Sequence, residues 1–309
     1  MDDRWERSKP LVILSRSDIS GLFFEYDRKI TVLSCSVIAA GCRNSNYRVH
    51  TDRGEYLLRI CLKADHGFVN EQVVYSVLHD KIRIPRLYYA ARFNDYDYLI
   101  YEYLSGRTLN SILSDRSRVT DSIVRQAAQT AALIHNHRST DFPGLEQTEL
   151  PPFKRWFELF LSNPRTIERI GLDTADRINR LVEGCTAELQ EIDRYHSFIH
   201  SDFRPANMLL EQPNLLYFID WEFAGNGHPL ADIGQFFRYR SFFDTEHLKV
   251  FEAEYNQYAS VALPQKWYRL SLLRDLVNPL QMLGGKENLP LKYQDLQSLI
   301  HNTLEFWGY

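Results

Sequence analysis

Cysteine is scarce in this 309-residue chain, methionine scarcer still, and no apolar run approaches the roughly 18 residues that a membrane-spanning helix requires. The four cysteines (Cys35, Cys42, Cys61 and Cys185) have no C-x-x-C spacing and no histidine at zinc-finger distance. That excludes a zinc module or a disulfide scaffold and leaves free thiols in a reducing compartment as the expectation. An excess of one charge is also missing. With 36 basic and 40 acidic residues the net charge is −4, so neither a nucleic-acid partner nor a membrane partner is expected. The opening MDDRWERSKP has no apolar core of the kind a secretory signal carries, so a cytoplasmic location is expected. No internal repeat, G-x-S-x-G elbow or Walker A sequence occurs, which removes serine-hydrolase and P-loop readings.

What is present is an ordinary globular composition, 44% hydrophobic and 25% charged, rich in aromatics with 18 Tyr and 18 Phe. A chain of this length buries a large core without staples. Its texture changes near residue 104. Before that point short β-rich runs recur: 31–40, then a turn at Gly41-Cys42-Arg43-Asn44, then 47–51 and 56–62 around Asp52-Arg53-Gly54. A helical pattern at 68–78 follows, then runs at 87–93 and 98–104. After Ser105-Gly106 helical patterns dominate. Thr120 is an N-cap for a segment to about His137, and further helices are expected at 152–161, 174–190, 245–261, 264–283 and 291–306. A β island at 207–210 and 215–219 interrupts them. The plan is α+β in two lobes, a small β-rich lobe at 1–104 and a larger helical lobe at 105–309, with ligand expected between them.

The chemistry concentrates in His200-Ser201-Asp202-Phe203-Arg204-Pro205-Ala206-Asn207, with Asp220-Trp221-Glu222 thirteen residues past Asn207. Asp202 and Asn207 stand five apart, the step between base and metal-binding amide in the kinase loop H-R-D-x-x-x-x-N. Phe218-Ile219 has the profile of a buried strand that delivers Asp220 at its exit. One carboxylate to receive a hydroxyl proton, with an amide oxygen and a second carboxylate for Mg²⁺ on nucleotide phosphates, is what phosphoryl transfer needs.

On these residues the chain resembles the aminoglycoside phosphotransferase and choline-kinase-like family, the small-molecule branch of the protein-kinase fold. The resemblance runs from about Thr31 to the last helices and is most specific from Phe198 to Asp232. It implies a two-lobed protein-kinase-like fold, Asp202 as catalytic base, His200 bracing the loop, and Asn207 and Asp220 as Mg²⁺ ligands. It further implies Asp232 as an anchor of that loop. ATP or GTP is the implied donor, and the acceptor a small hydroxylated molecule: first an aminoglycoside, then choline, homoserine, a sugar or another amino alcohol.

In the first lobe, Ser45 and Asn46 beside Gly41 would touch phosphate, and Arg59 would pair the α- and β-phosphates with Glu71 holding it. Lys63, on the same face of an extended strand, is a rival for Arg59. Glu102 and Tyr103 occupy the linker that would contact the base. Three departures stand out: Arg59 where protein kinases carry Lys, Ser201 where the family has Gly, and His228 where an acidic residue is common. Glu222 could add negative charge for an amine-bearing acceptor. A catalytically silent nucleotide-binding protein is the alternative from another class. A protein kinase is disfavoured, since no A-P-E segment follows Asp220 and Pro229–Asp232 comes too soon for an activation loop.

Overall fold

The structure, a computed structural model, describes residues 2–39, 41, 43–62, 67–93, 96–115, 119–147, 149–211 and 214–309. Lys63 and Cys42 lie outside the described residues.

The first lobe is built on helix α1 (Arg16–Tyr26), strands β1 (Val32–Ile38), β2 (Ser45–Thr51) and β3 (Gly54–Leu62), helix α2 (Gly67–Leu78), and strands β4 (Leu87–Phe93) and β5 (Tyr96–Glu102). The strands form one antiparallel sheet in the order β1-β2-β3-β5-β4. Side chains alternate across a strand, and here the alternation assigns the lobe's two faces. Tyr47, Val49, Leu58, Ile60, Tyr98 and Ile100 pack on Ile19, Leu22 and Phe23 of α1. The intervening Cys61, Leu99 and Tyr101 pack on Phe68 at the start of α2, and Asn46 and Arg59 are register partners on that second face.

Helix α1 is absent from the expectations, although its signals are plain: Ser15 and Asp18 form a reciprocal capping box, and Ile19, Leu22 and Phe23 fall at helical spacing.

The chain leaves the sheet at Glu102 and enters the helical lobe through Gly106. A Cβ there would come within 2.4 Å of the Leu210 carbonyl oxygen, so only glycine fits. A short strand β6 (Arg107–Thr108) pairs with the island hairpin β8 (Met208–Glu211) and β9 (Leu215–Phe218), while β7 (Ser197–Ile199) pairs with β10 (Gly225–Gly227). Helices α3 (Leu109–Ser114), α4 (Asp121–His135), α5 (Phe153–Leu161), α6 (Pro164–Ile170), α7 (Leu172–Gly184) and α8 (Thr186–Ile192) precede the hairpin. Helices α9 (Pro229–Phe236), α10 (Thr245–Tyr258), α11 (Trp267–Asp275), α12 (Val277–Leu283) and α13 (Pro290–Trp307) follow it.

Thr120 caps α4 by accepting the Ile123 N–H, as expected. Two expected helices are each broken in two. The 264–283 segment divides at Leu276, three residues before Pro279, whose ring and missing N–H disrupt the preceding turn. The 174–190 segment divides at Cys185, after Gly184.

Candidate active site

The backbone of the loop after β7 is pinned from below by one carboxylate. Asp232, in the first turn of α9 and fully buried, accepts the N–H groups of His200 and Ser201 at 2.8 and 2.9 Å and contacts His135 Nε2 at 3.1 Å. One turn on, Gln235 accepts the Phe203 N–H and donates to the Ser201 carbonyl. Held from both sides, Ser201 adopts φ +66°, a left-handed conformation that favours glycine. His200 is buried against Trp221 with ring centroids 4.2 Å apart; its Nε2 donates to the Ile219 carbonyl and its Nδ1 accepts the Asp202 N–H. It ties the loop to the strand exit, and its ring nitrogens are both engaged.

Asp202 and Asn207 face each other across that loop. Asn207 Nδ2 donates to the Asp202 carbonyl at 2.9 Å and to its Oδ2 at 2.7 Å, while Arg204 Nε donates to Oδ1 at 2.7 Å. Burial would raise the Asp202 carboxyl, but the Arg204 charge and hydrogen bond outweigh it and hold the group below the ordinary carboxylate range. The Ile219 N–H donates to the Asn207 carbonyl at 3.0 Å, so the hairpin delivers Asp220 next to Asn207. Asp220 is the second non-glycine residue with left-handed backbone, φ +70°.

From the sheet side, Arg59 reaches the same point. Its Nη1 pairs with Glu71 and, at 3.0 Å, with Asp220 Oδ1, and its Nε donates to Asn46 Oδ1 at 3.4 Å. Tyr101 donates to the other oxygen of Glu71 at 2.7 Å. Burial opposes the Arg59 charge, yet the two flanking carboxylates prevail and keep the guanidinium protonated well beyond its usual range.

Two cavities meet here. One, of about 320 Å³, lies under the sheet and is walled by Ile38, Leu57, Ile84, Glu102, Tyr103 and Asn207 among others. The second, of about 670 Å³, opens between the lobes and takes in Asp202, Arg204 and residues from α11 to α13. Gly41, Asn46, Arg59 and Asp220 line both.

Of the expected phosphate-contacting side chains, Ser45 is the one not brought to this junction. It is buried and its Oγ accepts the Val12 N–H at 2.9 Å, because the period of two along β2 turns it away from the face that carries Asn46. Glu222 is also committed. It is buried, Asn44 Nδ2 donates to it at 2.9 Å, and burial with Asp220 nearby pushes its carboxyl up to about 8. His228, the departure before α9, is buried and caps that helix by accepting the Leu230 N–H. Burial, with Arg274 adding to it, holds its ring well below the ordinary imidazole range, and therefore neutral.

Residues 34–271 match the model of the phosphotransferase enzyme family, more than half of the chain. The chain belongs to that family. Among curated relatives, the Protein LicA homolog of Mycoplasma capricolum subsp. capricolum is 25% identical over 246 residues, covering 80% of this chain and 87% of that protein. The spectinomycin phosphotransferase APH(9)-Ia, solved with ADP and spectinomycin, superposes with a TM-score of 0.67 at 13% identity over 94% of this chain and 99% of its own. The choline kinase LicA from Streptococcus pneumoniae gives 0.63 at 18% identity over 93% and 99%. The fold of this phosphotransferase is thus the two-lobed, protein-kinase-like one.

The sequence pattern passed over several residues of the phosphotransferase cleft. Asp2 pairs with Arg204 at 2.7 Å and Trp5 donates to Asp295 at 3.0 Å, so the first residues of the chain lie on the helical lobe. Arg7 then donates to the carbonyls of Gly41, Arg43 and Asn44. No local motif marks such long-range contacts. Arg204 was findable, standing two residues from Asp202.

Proposed function

We propose that the chain catalyses Mg²⁺-dependent transfer of the γ-phosphoryl group of ATP or GTP to a hydroxyl of a small molecule. The observation that carries this reading is the junction of the two cavities, with Asn207 on one side, Asp202 on the other, and Arg59, Asn46 and Asp220 as common wall. A nucleotide seated under the sheet would put its base against the Glu102–Tyr103 linker and its phosphates at that wall. An acceptor in the larger cleft would then meet the terminal phosphate beside Asp202. In this reading residues 1–104 serve the nucleotide and residues 105–309 supply catalysis and the acceptor site, except that residues 2–6 reach across to the second lobe.

The donor set fits Mg²⁺. Asn207 turns its amide nitrogen to Asp202, which leaves Oδ1 as its ligand atom, and Asp220 supplies a carboxylate alongside. One amide oxygen and one carboxylate suit a hard cation that completes its shell with water and phosphate. No group of three or more acidic, His or Cys side chains placed to hold a metal ion by themselves occurs among the described residues. A Mg²⁺ ion held by Asn207 and Asp220 would supply neutralisation of phosphate charge. Arg59 would add a permanent, forked positive charge on the phosphates. Asp202 accepts a hydrogen bond from the acceptor hydroxyl and takes its proton as the new O–P bond forms and the bond from the γ-phosphorus to the β–γ bridging oxygen breaks, the nucleoside diphosphate leaving. Arg204 and Asn207 fix the direction in which that carboxylate points.

For the acceptor, the family and its relatives suggest an amino-sugar antibiotic or an amino alcohol such as choline. The test is nucleoside-diphosphate release with Mg²⁺ and ATP or GTP over aminoglycosides, choline-like alcohols, sugars and hydroxy acids. Acceptor-dependent release is expected, falling by about 10²–10⁴-fold in Asp202→Ala while nucleotide binding persists. Turnover retained in that variant would remove Asp202 from its role. Nucleotide binding without turnover on any acceptor would instead identify a silent nucleotide-binding protein.

A further inference from the structure

Resting on the kinase reading above, we infer that the acceptor carries a carboxylate, and that Arg274, with Asn278 beside it, is the anchor that receives it. The far wall of the 670 Å³ cleft is built by α11 and α12. Within Ser271–Leu280 every residue is buried except Arg274 and Asn278, four apart, and both line the cleft together with Gln281 and Met282 further along. The wall is rigidly placed, since Gly234 of α9 packs so close to α11 that a Cβ would lie 2.1 Å from the Ser271 carbonyl oxygen.

The cations of this wall differ in how they are balanced. Arg238 makes a two-pronged pair with Asp275 at 2.8 and 2.6 Å. Arg204 is held by Asp202 and Asp2. Arg274 has no carboxylate within ion-pair distance among the described residues, its Nη1 is buried without a hydrogen-bond partner, and its guanidinium has only the face of the Phe153 ring, 5.1 Å from its Cζ. Burial pulls its guanidinium down to about 10, only partly opposed by more distant Asp275, Asp232 and Asp193. A half-buried guanidinium with one nitrogen sealed from water and no anionic partner is costly, and a carboxylate oriented by its fork removes that cost. One uncompensated cation also matches a singly charged group better than a phosphate dianion.

The aromatic features that would recognise a cationic acceptor are occupied, and the carboxylate left on the rim, Glu287, is exposed to water. Three aromatic rings line the cleft, and each already carries a cation of the protein: Lys292 and Arg204 over Trp5, Arg43 over Phe223, and Arg169 over Tyr293. Glu222 is bound to Asn44. No open aromatic cage for a quaternary ammonium remains among the described residues.

The test measures equilibrium binding to the full chain of matched pairs that differ by the carboxylate: L-homoserine against 3-aminopropan-1-ol, and D-glucuronate against D-glucose. The carboxylate member of at least one pair is expected to bind about tenfold more tightly. The preference should vanish in Arg274→Met and survive in part in Arg274→Lys, with Mg²⁺–ADP affinity unchanged in both. Equal affinities, a preference for the amine or for choline, or a preference that outlives Arg274→Met would each overturn the inference. Tighter binding of glucose 6-phosphate than of glucuronate would overturn the carboxylate assignment. Failure to bind Mg²⁺–ADP would instead count against the kinase reading itself, which separates the two.

Discussion

Two arginines in this molecule, one buried and one half-buried, face opposite electrostatic situations. Arg59, under the sheet, is clamped by Glu71 and Asp220 and relayed to Tyr101. Arg274, on the far wall of the cleft, has an orphaned Nη1 and an aromatic ring for company. In the proposed reading the first is complete before any substrate arrives, because its partners are the protein's own carboxylates. The second is unfinished without a ligand. The contrast separates the part of the cleft that the reaction dictates from the part the substrate dictates.

Removing the charge breaks the comparison most severely on the Arg59 side. Arg59→Met would leave Glu71 buried and unpaired and Asp220 without its partner, which for a buried pair costs about 3–5 kcal/mol. For a chain of this size that lowers the Tm by roughly 10 °C in a thermal melt. Arg274→Met, by contrast, deletes a charge that burial already penalises, so its Tm should stay level or rise. Equal losses in the two variants would show that Arg274 is balanced in solution after all, and would erase the distinction.

A second contrast lies between the loop that follows β1 and the loop that follows β7. The latter is fixed by buried groups, Asp232 and Gln235. The former depends on Arg7, a half-buried cation that reaches three carbonyls at residues 41, 43 and 44 from a segment docked on the other lobe. Arg7→Ala should cost about 1 kcal/mol of local order, the typical net contribution of a hydrogen bond, because these contacts are only partly buried. Amide exchange should then accelerate about fivefold over 43–46 and stay unchanged over 199–207. Unchanged exchange at both loops would show that Arg7 does not restrain the first.

These contrasts also explain what the sequence disclosed. The strands of the first lobe and the H-x-D-x-x-x-x-N loop were legible because their signals are local: alternation of two, turn residues between runs, and fixed steps between chemical groups. Arg59 and Glu71 were paired on paper by the family resemblance, and the face of β3 that meets α2 brings them together. Ser45 was misplaced because its orientation depends on which face of β2 meets α1, and that helix went unread despite its capping box. Arg274 was illegible altogether. On paper it is one more arginine in a helix, and only the packing of α9 on α11 turns it toward the cleft. The segment from Asp2 to Arg7 was illegible for the same reason, since its partners stand 34 to 290 positions away.

Ser201 offers the finest test of how firmly the second loop is held. At φ +66° a serine bears about 1–2 kcal/mol of strain that a glycine would not. The conformation persists because Asp232 fixes the Ser201 N–H and Gln235 its carbonyl. Ser201→Gly removes the strain but adds about 0.5–1 kcal/mol of backbone entropy to be lost on folding. Strain relief is the larger effect, leaving a net gain of about 0.5 kcal/mol and a rise in Tm of roughly 1 °C. Turnover should be unaffected, since the clamp, and not the residue's own preference, sets the direction of Asp202. A fall in Tm would mean that the serine relaxes away from the left-handed region in solution, and with it the loop that carries Asp202 and Asn207.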